Sequence, residues 1–169
     1  GATAVFIAQA AYAKDPAHYD ALMAAYPSVA FIRVRDTLRA LQDAAAAYAE
    51  RFPSLVKIGV TGSSGKTTTK DMLVSTLSKK YRVVATQGNL NSETGLPLSV
   101  FAIRAEHEVG IFELGMNRTD EIAESTRVLK PQYAVITNIG TAHIGMLGSK
   151  DAIAHEKKQI FILKLHRMI

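Results

Sequence analysis

The sequence predicts an α/β fold in which helices cover both faces of a parallel sheet. Three observations lead to this fold class. From Leu55 onward, short β-branched runs alternate with amphipathic segments at the spacing of strand–helix–strand units. One of these runs passes directly into a loop rich in glycine and hydroxyl groups, which a helical pattern follows. A helix-breaking stretch, Arg-Phe-Pro-Ser at residues 51–54, separates this part from an alanine-rich part before it.

Residues 1–54 are predicted to form a small separate α/β unit. Ala4–Ala8 and residues 28–34 have strand-like composition, and an alanine-rich, helical segment lies between them. Asp36 and Thr37 can begin a further helix. The Asp, His and Tyr residues of this part are isolated, so we expect them to be solvated or packed rather than catalytic. Residues 55–169 are interpreted as a second domain.

The second domain is predicted to alternate strands and helices in chain order. Strands are expected at residues 55–60, 81–85, 109–114 and 133–137. Helices are expected over residues 70–77, 97–103, 117–129 and 149–160. Pro97 suits a first helical turn, while Asn117, with Asp120 three residues on, and Ser149 suit helix caps. Residues 86–93 and 138–149 are predicted to be polar loops.

The glycine-rich loop, G-S-S-G-K-T-T at residues 62–68, predicts a P-loop-type phosphate site. Glycines let backbone N–H groups approach phosphate oxygens, and the following helix N-terminus adds partial positive charge. Lys66 is expected to reach the terminal phosphates, and the Thr67 hydroxyl to coordinate Mg²⁺. The pattern G-x-x-x-x-G-K-[ST] has glycine where Val60 stands, so the loop is a variant. The nucleotide ligands are predicted to be Gly62, Ser63, Ser64, Gly65, Lys66, Thr67 and Thr68.

Polar groups follow three of the predicted strands. In open parallel sheets, ligands bind beyond the carboxyl ends of the strands. The loop at residues 62–68 follows one strand, Glu113 ends another, and residues 138–143 follow a third. A carboxylate on a buried strand must be paired, protonated or metal-bound, and beside a magnesium nucleotide we expect Glu113 to bind the metal. His143 lies among glycines, in a loop that could be shaped around a ligand.

Composition narrows the classes of partner. The net charge of +5 suits an anionic substrate, but the basic residues are scattered and tryptophan is absent, so no nucleic-acid partner is expected. The absence of cysteine excludes disulfides and thiolate metal sites. The longest apolar stretch, residues 1–13, is interrupted by Gln9 and shorter than the about 20 residues that span a bilayer. We therefore expect a cytoplasmic protein without membrane insertion. The sequence does not indicate an oligomeric state.

Four segments together resemble the Mur ligases of peptidoglycan synthesis. These are G-V-T-G-S-S-G-K-T-T-T-K at residues 59–70, G-N-L-N-S-E-T-G-L-P at 88–97, F-E-L-G-M-N at 112–117 and T-N-I-G-T-A-H at 137–143. They occur in the order found in the family, and the likeness extends from residue 1 to about Phe161. The asparagine-rich loop is most similar to that of the MurF subfamily. The resemblance implies that residues 1–54 are the C-terminal part of a UDP-substrate domain and residues 55–169 the N-terminal part of an ATPase domain.

The resemblance also implies a reaction and residue roles. Enzymes of this subfamily use ATP to convert the carboxylate of UDP-N-acetylmuramoyl-tripeptide to an acyl phosphate, which the amine of D-Ala-D-Ala attacks. By resemblance, Thr67 and Glu113 bind one Mg²⁺ and His143 helps to bind a second. Lys157 matches the lysine that CO₂ carbamylates, and Asn89 and Asn91 match the loop that meets the muramoyl-peptide substrate. Carbamylation requires an uncharged amine, hence a partly buried lysine.

Two differences from the family leave alternatives open. The chain begins inside the first domain, and residues 161–169 do not resemble the family's continuation. We therefore expect a fragment that binds ATP but does not complete ligation alone. A folylpolyglutamate or cyanophycin synthetase-like ligase would share the loop and metal ligands, although the loop at residues 88–97 favours the MurF subfamily. A non-catalytic nucleotide-binding module would bind nucleotide without turnover. A GTPase is disfavoured because no N-K-x-D signature is present.

Overall fold

The computed structural model describes residues 1–142 and 144–162. The chain divides into two compact units, the first comprising Gly1–Asp43 and the second beginning at Ala44. The division falls within a helix, Thr37–Glu50. The domain boundary that the sequence suggests after residue 54 stays a prediction.

The first unit is built around two parallel strands. Its elements, with the helix that leads into the second unit, are β1 (Ala4–Ala8), α1 (Gln9–Lys14), α2 (Pro16–Ala25), β2 (Ala30–Val34) and α3 (Thr37–Glu50). Strand β1 pairs with β2 so that Ala4 lies opposite Ala30. Helix α2 begins with a proline, and the side chain of Asp15 accepts a hydrogen bond from the backbone N–H of His18. The strand predicted at Ala4–Ala8 is confirmed.

The second unit alternates strands and helices. Its elements are β3 (Val56–Thr61), α4 (Lys66–Leu77), β4 (Val83–Ala85), α5 (Gly95–Val100), β5 (Val109–Glu113), α6 (Glu121–Leu129), β6 (Tyr133–Ile136), α7 (Ile144–Leu147) and α8 (Lys150–Lys158), with a 3₁₀ turn at Gln159–Phe161. The four strands form one parallel sheet in the order β4-β5-β3-β6. The predicted parallel sheet is confirmed, and its central strands are β3 and β5.

Apolar side chains pack on both faces of this sheet. On one face, Val60, Val109 and Ile111 are buried beneath Leu73 and Leu77 of α4. The other face carries a larger core that includes buried residues of α5, α6 and α8. This alternation follows from the strand geometry, in which successive side chains point to opposite faces. The prediction of helices on both faces is confirmed, and the carboxyl ends of β3, β5 and β6 lie at one edge.

The differences from the predicted helices include two boundaries and one additional short helix. Helix α4 begins at Lys66 rather than residue 70, because its first turn is polar and carries no amphipathic pattern. Helix α5 ends at Val100, so Phe101 and Ile103 lie beyond it. A short helix, α7, lies in a stretch that the sequence predicts to be a loop.

The predicted cap of α6 at Asn117 is wrong. The residue that precedes the first helical turn is Asp120, and its own side chain does not cap the helix. The backbone N–H of Asn117 instead donates to Glu121 Oε2 at 2.6 Å. By contrast, the predicted cap of α8 is confirmed, because Ser149 accepts a hydrogen bond from the backbone N–H of Ala152.

Candidate nucleotide and metal site

The loop between β3 and α4 depends on glycine at two positions. Gly62 has a φ of +151°, and a Cβ atom there would lie 1.8 Å from Thr137 Oγ1. Gly65, which immediately precedes α4, has a φ of +76°. Side-chain-bearing residues rarely adopt such conformations. The two glycines of the predicted phosphate motif are therefore required by the backbone path of the loop.

The N-terminus of α4 is open. Neither a side-chain cap nor an acidic residue is present in its first turn. The first helical hydrogen bond runs from Thr69 N to the carbonyl of Gly65, so the N–H groups of residues 66–68 have no partner within the helix. Lys66 is half-buried, and its Nζ donates to the carbonyl of Gly62 at 3.0 Å. This end of the helix thus combines backbone donors that have no partner within the helix with a lysine, a combination that favours an anion.

Asn138 holds the first half of the loop. Its Oδ1 accepts hydrogen bonds from the backbone N–H groups of Ser63 at 3.1 Å and Ser64 at 3.0 Å, and its Nδ2 donates to Ser64 Oγ at 2.7 Å. The backbone N–H of Gly140 donates to Ser63 Oγ at 2.9 Å. The backbone N–H groups of the predicted ligands Ser63 and Ser64 therefore donate to Asn138. The amides of residues 66–68, at the start of α4, are the ones without a partner within the helix.

The carboxylate of Glu113 lies directly behind the loop. Glu113 is 2% exposed at the end of β5. Its Oε2 accepts a hydrogen bond from Thr67 Oγ1 at 2.9 Å, and its Oε1 accepts one from Asn91 Nδ2 at 2.7 Å. The structure thus brings together the predicted site residues Thr67, Asn91 and Glu113. In the sequence, Thr67 lies 46 residues and Asn91 22 residues from Glu113.

The pairing of Thr67 with Glu113 fits a hard divalent cation. Mg²⁺ takes oxygen ligands and is commonly held by one or two carboxylates together with water and phosphate oxygens. A hydroxyl and a carboxylate at 2.9 Å, next to an open helix N-terminus, supply this kind of donor set. Within residues 1–142 and 144–162, no group of three His, Asp or Glu residues could hold a metal ion unaided. Water and nucleotide phosphate oxygens are the ligands expected to complete the coordination.

Lys157 is buried next to the loop that follows β5. It is 1% exposed, and its Nζ lies 3.8 Å from Met116 Sδ. The pKa of Lys157 is lowered to about 8, first by burial and then by the positive charge of Lys66, while Glu156 raises it. A larger share of the amine is therefore neutral than in an exposed lysine.

The structure says less about the remaining predicted site residues, His143 and Asn89. His143 lies outside the residues that the structure describes. Asn89 is exposed in the same loop as Asn91, and its carbonyl accepts a hydrogen bond from the backbone N–H of Asn91 at 2.8 Å. The sequence does not single out Asn138, although its position immediately after a predicted strand places it at the correct edge of the sheet.

An apolar groove of about 810 Å³ lies at the opposite end of the sheet. It is lined mainly by residues from the amino ends of the strands and from α4, including Val56, Ile58, Leu73, Leu77, Val109 and Tyr133. None of the predicted nucleotide or metal ligands lines this groove. Because the charged and polar groups converge at the carboxyl edge, that edge is the candidate site.

The fold and the site together define a parallel α/β protein with a phosphate-binding type of loop. The family described as "Mur ligase middle domain" matches residues 60–167, so the expectation that the likeness ends at about Phe161 is wrong. The chain belongs to the Mur ligase family, as its motifs suggest.

The chain is also similar to individual ligases and solved structures. The chain is 63% identical over 132 residues to the UDP-N-acetylmuramoyl-tripeptide–D-alanyl-D-alanine ligase of Treponema pallidum, a match that covers 78% of this chain and 29% of the relative. A crystal structure of MurF from Acinetobacter baumannii superposes with a TM-score of 0.78 at 41% identity, covering 80% of this chain and 30% of that one. MurF ligase from Thermotoga maritima in complex with ADP gives 0.75 at 32% identity, covering 85% and 36%.

The chain spans about 29% of the length of the relative from T. pallidum. The similarity therefore identifies the family and the fold of this chain. Within the described ranges, no helix is both long enough and apolar enough to cross a membrane.

Proposed function

We propose that this chain supplies the ATP-binding part of a ligase that joins D-Ala-D-Ala to UDP-N-acetylmuramoyl-tripeptide. The observation that carries the proposal is the hydrogen bond of 2.9 Å between Thr67 Oγ1 and Glu113 Oε2 directly behind the open N-terminus of α4. The name of the relative from T. pallidum supports the choice of substrates. The complex of the T. maritima ligase with ADP supports the choice of nucleotide.

The reaction requires phosphate to move from ATP to a carboxylate. The tripeptide carboxylate attacks the γ-phosphorus, which gives an acyl phosphate and ADP. The amine of D-Ala-D-Ala then attacks the acyl carbon and displaces inorganic phosphate. Phosphoryl transfer depends mainly on positioning and on neutralising charge, and both demands suit a lysine at an open helix terminus.

Several of the predicted residues have a role in this proposal. Lys66 and the amides at the start of α4 hold the ATP phosphates, and Thr67 and Glu113 hold Mg²⁺, which neutralises phosphate charge when bound. His143 and a carbamylated Lys157 would help to bind a second Mg²⁺. The hydrogen bond from Asn91 to Glu113 supports a role for Asn91 in orienting that carboxylate, in addition to the substrate role proposed for Asn89 and Asn91. We place the reaction in the cytoplasm, where ATP is available.

The nucleotide part of the proposal is tested by calorimetry of ATP and Mg²⁺ binding to the chain. Lys66→Ala is expected to weaken binding roughly 10- to 100-fold, because a charged phosphate loses its lysine partner. Lys79→Ala is the matched control, since Lys79 is exposed beyond the end of α4. Equal affinity in wild type and Lys66→Ala would contradict the assignment of the phosphate site.

The ligase part requires a protein of the relatives' full length that contains this chain. Phosphate release is expected only when ATP, the UDP-linked tripeptide and D-Ala-D-Ala are all present. Glu113→Gln is expected to lower this activity by roughly 100-fold or more, because a metal-binding carboxylate is replaced by a neutral amide. Glu106→Gln, at an exposed position, is the control. Phosphate release that ignores D-Ala-D-Ala would refute the proposed acceptor.

A further inference from the structure

Glu156 is a buried carboxylate on α8 that accepts hydrogen bonds from the start of another helix, α6. It is 2% exposed. Its Oε2 accepts a hydrogen bond from the backbone N–H of Asp120 at 2.9 Å, and its Oε1 accepts one from the backbone N–H of Ile122 at 3.0 Å. Both donors belong to the start of α6, so a residue 34 to 36 positions away caps this helix.

The backbone at the start of α6 needs this support. Asp120 has a φ of +66°, in the left-handed region that non-glycine residues rarely adopt, and its own side chain does not cap the helix. Such conformations persist where the surroundings hold them in place. The hydrogen bond from Asp120 N to Glu156 is a direct restraint of this kind.

The residue next to Glu156 is Lys157, which is also buried. The Nζ atom of Lys157 lies 3.8 Å from Met116 Sδ, in the loop between β5 and α6. Since Glu156 and Lys157 are adjacent on one rigid helix, the two hydrogen bonds made by Glu156 also restrict where the Lys157 side chain can lie. The same contacts connect α8 to the loop that begins after Glu113.

We propose that Glu156 is a positioning residue, which joins α8 to the first turn of α6 and thereby fixes the Lys157 side chain beside the loop that follows β5. The inference rests on the proposed function in one respect, namely that Lys157 serves the ligase site. Glu156 itself does not touch the substrate or the nucleotide. Its effect is transmitted through the placement of α8.

The structure offers a matched control in Glu121. Its side chain belongs to α6, is also 2% exposed, and accepts hydrogen bonds from the backbone N–H groups of Asn117 at 2.6 Å and Arg118 at 3.3 Å. Glu121→Gln therefore perturbs a buried carboxylate at the start of α6, which binds the same β5–α6 loop, without substituting any residue of α8. Any general loss of stability should appear in both variants.

The test is the acetylation rate of Lys157 in the chain, measured by mass spectrometry with acetic anhydride and normalised to the exposed Lys158. Glu156→Gln is expected to raise this rate roughly tenfold, because losing the cap opens the buried position locally. Glu121→Gln should leave the rate within about twofold of wild type. Both variants are compared at a temperature where unfolding curves show them folded. Glu156→Asp retains the charge, which raises the pKa of Lys157, but shortens the side chain, so a rise in this variant too assigns the effect to the lost cap rather than to the lost charge. Glu156→Asp also serves if Glu156→Gln does not fold.

An equal rise in Glu156→Gln and Glu121→Gln, or no rise in either, would overturn the proposal. In a full-length ligase, Glu156→Gln should lower kcat and leave the calorimetric Kd for ATP unchanged, since the phosphate site lies on α4. Failure of the proposed function is distinguishable, because it would remove ATP binding or ligation from the wild type. The acetylation comparison would still report on Glu156 in that case.

Discussion

Helices α4 and α6 follow neighbouring strands of one sheet, but their N-termini differ. The first turn of α4 has no acidic residue and no side-chain cap, and a lysine lies beside it. The first turn of α6 contains Glu121 and Glu124, and Glu156 reaches it from α8. Both termini offer backbone donors and partial positive charge. Protein carboxylates occupy one of them, and the other remains available to a phosphate.

This difference separates a structural use from a binding use of the same physical feature. A carboxylate that is part of the chain is always present, so it stabilises α6 whether or not a ligand is bound. A diffusible anion is bound only when it is supplied, so α4 can take part in a reaction. The lack of acidic residues within the first turn of α4 is therefore as informative as the presence of Lys66.

The largest expected effect comes from Gly62→Ala, which obstructs the observed path of the loop before α4. The new Cβ would lie 1.8 Å from Thr137 Oγ1, so the loop must move. ATP affinity is expected to fall at least about 100-fold, or roughly 3 kcal/mol, in calorimetry. Gly145→Ala is the control, because no atom lies within 4 Å of a Cβ built there. Unchanged affinity in Gly62→Ala would show that the observed loop path is not the binding path.

The next-largest effect is expected when the buried positive charge of Lys157 is removed. The pKa of Lys157 is about 8 in the folded chain, below its ordinary value of 10.5, so the folded state binds fewer protons than the unfolded state between these values. Wild-type stability should rise as pH increases through this window. Lys157→Met should therefore stabilise the chain by up to about 3 kcal/mol at pH 7, and by less as the pH approaches 10.5.

Guanidinium unfolding in CO₂-free buffer at two pH values measures this difference. Lys158→Met provides the control, since Lys158 is exposed. A Lys157→Met effect that does not change with pH would indicate that burial of the charge is not its cause.

A smaller effect is expected when a carboxylate is added to the open terminus. Ser64→Asp places a negative charge just before α4 and should weaken ATP binding roughly tenfold, by about 1.4 kcal/mol. The loss should shrink at high salt, because exposed charges are screened. Ser78→Asp changes the net charge equally at the other end of α4 and should leave the ATP affinity unchanged. An equal loss in both variants would mean that net charge, not the helix terminus, governs binding.

The smallest effect concerns α8, whose cap is local. Ser149 Oγ accepts the backbone N–H of Ala152 at 3.1 Å. Ser149→Ala should lower the free energy of unfolding by about 1 kcal/mol, whereas Ser54→Ala, at an exposed position, should have little effect. A neutral result for Ser149→Ala would imply that packing, rather than the cap, fixes the start of α8.

The caps illustrate what the sequence can predict. Ser149 can be identified because a cap and its helix are adjacent in the chain. The same reasoning assigns the cap of α6 to Asn117, but the contacts come from Glu156, and no local pattern indicates a partner 34 residues away. The strands can be identified because β-branched runs are local signals. The start of α4 is predicted too late because residues 66–69 are polar on every side.

The candidate site shows the same limit. Lys66, Thr67 and Glu113 can be proposed from the motif and from the rule that parallel strands share a carboxyl edge. The hydrogen bond from Asn91 to Glu113 and the contacts of Asn138 depend on how loops fold onto that edge. Neither loop has a periodic pattern, so the sequence indicates the sheet edge at which Asn138 lies but not these contacts.

The pairing of Asn138 with the amides of Ser63 and Ser64 has a consequence for the order of biosynthesis. These contacts join positions 74 and 75 residues apart. At translation rates of roughly 5 to 20 residues per second, the ribosome makes the loop about 4 to 15 seconds before it makes Asn138. A nascent chain therefore cannot complete this part of the phosphate site until the strand that precedes Asn138 has left the exit tunnel.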